Sequence, residues 1–134
     1  PFIGQIESDG ETSIVVIGGK VAWAVNKGSF LAADSVVADD PEGVAAAERD
    51  EQLVKLVEPS PEEAELAHRT VGWLSSRFGV TPLFARIDMV GSTPGGPVLI
   101  EVELIEPSLY LGWAADLDFP GAEVFAAAVI ADLD

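Results

Sequence analysis

Two neighbouring stretches of the chain alternate apolar and polar residues with a period of two. From Leu83, the residues Leu83, Ala85, Ile87 and Met89 alternate with Arg86 and Asp88. From Val98, the residues Val98, Ile100, Val102 and Leu104 alternate with Glu101 and Glu103. Successive side chains of a strand point to opposite faces, so both runs read as strands. Residues 91–97, rich in Gly and Pro, read as the turn between them. Placing both apolar sets on one core face puts Arg86, Asp88, Glu101 and Glu103 together on the other. A one-residue slip would bury the acids, so the apolar pattern selects the parity of the register. One register that satisfies it sets Asp88 opposite Glu101 and Arg86 opposite Glu103. Phe84, Val90 and Leu99 share the polar face, which is therefore expected to be covered rather than simply wet.

The rest of the chain supplies the partners of this hairpin. Residues 2–6 form a short apolar segment, read as an entering strand, and Ser8-Asp9-Gly10 reads as a turn. The β-rich runs 13–17 and 20–25 flank Gly18-Gly19, a hairpin signal because both turn residues tolerate positive φ. Residues 32–51 are rich in Ala, Asp and Glu and read as a solvated loop or marginal helix near 42–49; residues 52–57 read as a strand. Ser60-Pro61-Glu62-Glu63 opens a helix: Ser60 as N-cap, Pro61 at the first position and Glu63 closing a capping box. That helix runs to about Phe78 and stops at Gly79, with Ala67, Val71, Leu74 and Phe78 as its apolar stripe. A second, Ala-rich amphipathic helix is expected over 120–133, carrying Val124, Phe125, Ala128 and Val129. Strands dominate, so the expected class is α+β: a largely antiparallel sheet with helices on one face. Trp23, Trp73 and Trp113 are expected to be packing residues.

Composition narrows the functions. The 134 residues suffice for one domain with a real core. The formal net charge of −16 and pI of 4.1 argue against nucleic acid or an anionic membrane as partner. The same field repels ATP, so a nucleotide site here would need Mg2+ and local Lys or Arg. A hydrophobic fraction of 49% and mean hydropathy of +0.32 leave room for a surface that meets another protein, including a second copy. Absence of Cys excludes disulfides, thiolate metal sites and a Cys nucleophile. No run approaches the ~20 apolar residues of a membrane span and no signal pattern opens the chain, so the cytoplasm is the expected compartment. A start at Pro1 fits a processed protein or a piece of a longer one.

Three carboxylates on one strand face repel one another unless a cation lies among them. Arg86 can neutralise one. Mg2+ suits the remainder, because it takes hard carboxylate oxygens, keeps waters and often completes its shell with phosphates. The ordinary alternative is a half-buried hairpin that carries its charges on a solvated face. His68 has no second His, Asp or Ser at catalytic spacing and is given no role. The chain has neither a Walker-type phosphate loop nor a Gly-x-Ser-x-Gly elbow.

ARIDMV followed by LIEVELIEPSLYLG resembles the C-terminal end of an ATP-grasp ligase of the glutathione-synthetase-like or ribosomal-modification-like type. The resemblance implies that Asp88 and Glu101 are magnesium ligands and that Glu103 fills a place more often held by Asn. It implies that Arg86 faces phosphate or an acyl-phosphate intermediate. GETSIVVIGGKVAWAVNKG is similar to a further segment of that family; it implies a phosphate-reaching role for Lys27, with Glu11 and Ser13 lining the same cleft. The likeness fails over 30–48, where relatives carry a strand with an active-site Arg and this chain has no Arg; Arg49 is the nearest.

By this resemblance the chain is a single domain, 1–134, forming a partial, C-terminal ATP-grasp lobe without the lobe that clamps the nucleotide. The implied parent is an ATP- and Mg2+-dependent carboxylate–amine (or thiol) ligase acting through an acyl phosphate on a small substrate, with this stretch inactive alone. Two other readings stay open: a non-catalytic relic of the fold serving as an interaction or oligomerisation module, and a plain acidic binder of divalent cations.

Overall fold

A computed structural model describes residues 5–28, 54–91 and 93–133. Its elements run α1 (Gln5–Asp9), β1 (Glu11–Ile17), β2 (Lys20–Lys27), β3 (Val54–Val57), α2 (Pro61–Phe78), β4 (Phe84–Val90), β5 (Val98–Glu103) and α3 (Gly121–Asp132). The strands form one sheet in the order β3-β2-β1-β4-β5, every neighbouring pair antiparallel. The α+β class and the antiparallel sheet are therefore as expected. The entering strand is not: over its described part, the chain is the short helix α1. The 32–51 segment and the start of the strand expected at 52 lie outside the described residues.

Strand alternation divides the core into two layers. On one face Ile14, Val16, Ala24, Ala85, Ile87 and Met89 pack against Ala67 and Val71 of α2. On the other, Val15, Ile17, Trp23, Val25 and Val54 pack against Tyr110 and Ala114 and against Val124, Phe125 and Ala128 of α3. The helices thus lie on opposite faces of the sheet, which corrects the expectation that both cover one. The reason is that β1 is apolar on both faces, burying Ile14 through Ile17 without interruption. A strand buried on both sides needs a cover on each.

The start of α2 follows its sequence signature. Glu63 N–H donates to Ser60 Oγ at 3.2 Å, and Ser60 N–H donates to Glu63 Oε2 at 2.8 Å. Burying Val71 and Leu74 contributes about 1.5–3 kcal/mol each. Phe78, expected in the stripe, is 60% exposed instead, because the last turn of α2 runs past the cover of the sheet. Gly18 and Gly19 take φ of 56° and 79° in the β1–β2 turn, as the hairpin requires.

Candidate metal and phosphate site

The β4–β5 register places Asp88 opposite Glu101 and Arg86 opposite Glu103. A bulge after Asp88 then shifts the pairing, so Met89 faces Leu99. β5 is the edge strand, and Val98, Leu99 and Ile100 are correspondingly half-exposed. On the other side of β4, Ser13 of β1 lies opposite Asp88, and Glu11 lies opposite Lys27 of β2. Four adjacent strands therefore send Lys27, Glu11, Ser13, Asp88, Arg86, Glu101 and Glu103 to one end of the α3 face. These are the seven residues singled out from the sequence, and the fold brings all of them together.

The cluster is a charge network centred on Asp88, which is 1% exposed. Arg86 Nε donates to Asp88 Oδ1 at 3.0 Å, and Arg86 Nη2 donates to Oδ2 at 2.9 Å. Lys27 Nζ reaches across β1 to the same Oδ2 at 3.3 Å. Lys27 also pairs with Glu11, and Arg86 with Glu103. Burial alone would raise the Asp88 pKa, but the Arg86 hydrogen bonds and the charges of Lys27 and Arg86 carry it below the usual aspartate value. Burial lowers the Lys27 pKa, yet Asp88 and Glu11 together bring it above the ordinary lysine value. Glu103 moves the other way. Burial and the neighbouring Glu101 and Asp88 raise its pKa despite the attraction of Arg86.

Ser13 Oγ is wholly buried. It lies close enough to Asp88 to favour the ionised carboxylate, yet it meets no partner at full hydrogen-bonding geometry.

The donor set fits a hard divalent cation. One carboxylate oxygen from each of Asp88, Glu101 and Glu103 lies within 4.8 Å of the other two. Among the described residues, and counting Glu11, four carboxylates face the two cations Lys27 and Arg86, a formal balance of two negative charges. A cation of that charge would neutralise the face. Asp88 is buried, Glu103 intermediate and Glu101 exposed, so the face opens to solvent beside Glu101. Among the described residues, grooves lie between α2 and residues 93–97, beside β2 and β3, and between residues 81–83 and α3.

The apolar loop after β5, with Tyr110 and Trp113 expected near the acids, packs against Arg86. The Tyr110 ring lies against Arg86, with the guanidinium carbon 5.9 Å from its centroid, and meets Trp113 edge-on at 5.6 Å. Two indoles hold this loop: Trp23 Nε1 donates to the Leu109 carbonyl at 2.9 Å, and Trp113 Nε1 to that of Val54 at 3.2 Å. Glu106 and Tyr110 both have positive φ, 55° and 51°. The available signal was the EPSLY run itself, whose turn character does not disclose where the ring lands.

The fold matches part of a solved synthetase structure. The sequence is homologous to the cycloserine biosynthesis protein DcsG of Streptomyces lavendulae, at 28% identity over 130 residues, 96% of this chain. The structure superposes on the crystal structure of D-cycloserine synthetase DcsG with a TM-score of 0.77 at 22% identity, over 100% of this chain. The chain spans about 40% of the relative's length in the sequence match and 41% in the structural one. No family model matches it. Among the described residues, no helix is long and apolar enough to cross a membrane.

Proposed function

We propose that this chain is the metal- and phosphate-binding part of an ATP-dependent, Mg2+-requiring ligase of the ATP-grasp type. Such a ligase joins a carboxylate to an amine or thiol through an acyl phosphate. The observation that carries the reading is the convergence of the Asp88, Glu101 and Glu103 oxygens within 4.8 Å, beside two buried cations. Homology to a synthetase supports the ligase class. Because the chain spans under half of that relative, the nucleotide clamp and the sites for the activated acid and the acceptor are proposed to lie in the rest of a longer protein. The 134 residues are proposed to be inactive alone.

Asp88, Glu101 and Glu103 would hold Mg2+, with Asp88 the fixed member because its strand neighbours bury it. Bound there, the ion would neutralise negative charge on phosphoryl oxygens. Arg86 and Lys27 would orient phosphate from the β4 and β2 sides, their charges kept close to the reacting end by Asp88. Tyr110 and Trp113 close the apolar side of Arg86 and limit the directions in which its guanidinium can turn. Ser13 adds a buried hydroxyl beside Asp88.

The test is calorimetric titration of a non-hydrolysable ATP analogue with and without Mg2+, using Asp88→Asn/Glu101→Gln as the control. Magnesium-dependent binding that disappears in the control is the expected result. Binding indifferent to Mg2+, or unchanged in the control, rejects the site. ATP turnover by the 134 residues would reject the proposed inactivity and leave the site standing.

A further inference from the structure

The outward face of α2 is left exposed by the described residues. Glu65, Arg69, Trp73 and Arg77 recur there every four residues, which places them on one side of a helix. All four are exposed, Trp73 by 63%. Among the described residues none of these charges joins an ion pair; Arg77 lies over the ring of its neighbour Phe78 at 5.6 Å. Beside Trp73 stands Gly72, in the middle of the helix. A glycine there destabilises a helix relative to alanine. A Cβ at Gly72 would meet nothing within 4 Å, so packing within this chain does not require the glycine.

The same residues are complementary to themselves. When two copies of a helix cross antiparallel about a two-fold axis, positions equally far from the axis meet. Glu65 and Arg77 are both six residues from position 71, and Arg69 and Trp73 are both two residues from it. A crossing at the level of position 71 sets Glu65 against Arg77 of the second copy, twice, and lays each Arg69 over the opposing Trp73. Charge also favours this face. The chain carries −16, yet Glu62 and Glu65 here are balanced by Arg69 and Arg77, so a second copy meets little net repulsion at this face.

We propose that the outer face of α2 is a two-fold docking surface for a second copy of this chain. Trp73 is its anchor, and Glu65 with Arg77 of the other copy fixes the register. A contact made by one helix lies at the small end of specific interfaces, below about 1,200 Å², so the dimer dissociates on dilution. The proposal is independent of the metal site.

Sedimentation velocity of the 134-residue chain over a concentration series tests it, with circular dichroism confirming that each variant folds. The wild-type chain is expected to move from monomer to dimer as concentration rises. Glu65→Arg alone and Arg77→Glu alone each place like charges together and weaken the dimer by about tenfold or more. The double variant Glu65→Arg/Arg77→Glu exchanges the signs and restores it. A chain that stays monomeric into the millimolar range overturns the proposal and leaves α2 to a different polypeptide. A dimer that ignores the single charge reversals, or that the double variant does not restore, overturns it equally.

Discussion

Arg86 grips Asp88 on both carboxylate oxygens, from Nε at 3.0 Å and Nη2 at 2.9 Å. The two residues stand two apart on β4 and so share a face. Their pairing keeps an anion ionised where it is almost wholly buried, and it keeps a guanidinium within the site. The pair is thus a structural bond of the sheet and, in the proposed site, would also compete with a cation for Asp88. The two roles predict opposite responses to removing one or the other partner.

Asp88→Asn should destabilise the fold by about 3 kcal/mol, because it leaves Arg86 and Lys27 as neighbouring buried cations with less anionic charge between them. The pH response follows from the lowered Asp88 pKa. Above the unfolded value of about 3.9 the wild-type chain holds the full contribution, and it loses it as pH falls through the lower folded value. Urea titrations should therefore show the two proteins far apart at neutral pH and converging in acid. A gap that stays constant through the acid range contradicts this account.

Arg86→Gln should have two effects of opposite sign. The fold loses its bidentate pair and becomes less stable. Bare Mg2+ or Mn2+, however, should bind about tenfold or more tightly, since a positive charge bonded to two of the candidate ligands has been removed. Isothermal titration with the metal alone reads this directly. Weaker metal binding in the variant would show that the acids do not form a cation site.

Much of this site was legible in the sequence, and the reason is physical. Asp88, Glu101, Arg86 and Glu103 sit among apolar residues of strict period two, and a slipped register would put charges into the α2-facing core. That cost selects the parity of the register, and one register of that parity sets Asp88 opposite Glu101. The placement of the helices was not legible in the same way. α3, expected to be amphipathic, is Ala-rich and nearly apolar around its whole circumference, so its sequence presents no face from which to choose a side of the sheet. Phe78 matched the stripe of α2 by spacing, but spacing does not report where the sheet beneath a helix ends. Tyr110 reaches Arg86 through a left-handed backbone position in a loop held by two indoles, and no periodicity encodes that.

Glu103 should titrate above an ordinary glutamate because burial and two neighbouring acids disfavour its charge. Its sign is opposite to that of Asp88. A carboxyl whose folded pKa is raised withdraws stability as pH rises through that value, because the unfolded chain ionises first. Glu101→Gln removes one of those acids and should bring the Glu103 pKa down, measured by carbon-detected NMR of the side-chain carboxyl. An unchanged titration would place Glu101 too far from Glu103 to share a cation with it.

Tyr110→Leu tests whether the aromatic loop holds Arg86 in place. Tyr110 is buried against Arg86 and Trp113, and its backbone is left-handed. Leucine at this position carries the same kind of backbone strain as tyrosine, whereas a β-branched residue would add more; the comparison therefore isolates the side chain. Loss of the ring removes apolar burial and the cation–π contact, a cost of about 2–3 kcal/mol. With the ring gone, the Arg86 Nε–H should exchange faster with solvent although Asp88 is still present to accept it. Proton–nitrogen spectra of the guanidinium follow that exchange under conditions where both proteins are folded. Equal exchange rates would mean that Asp88 and Glu103 hold Arg86 by themselves, and that Tyr110 contributes only to the core.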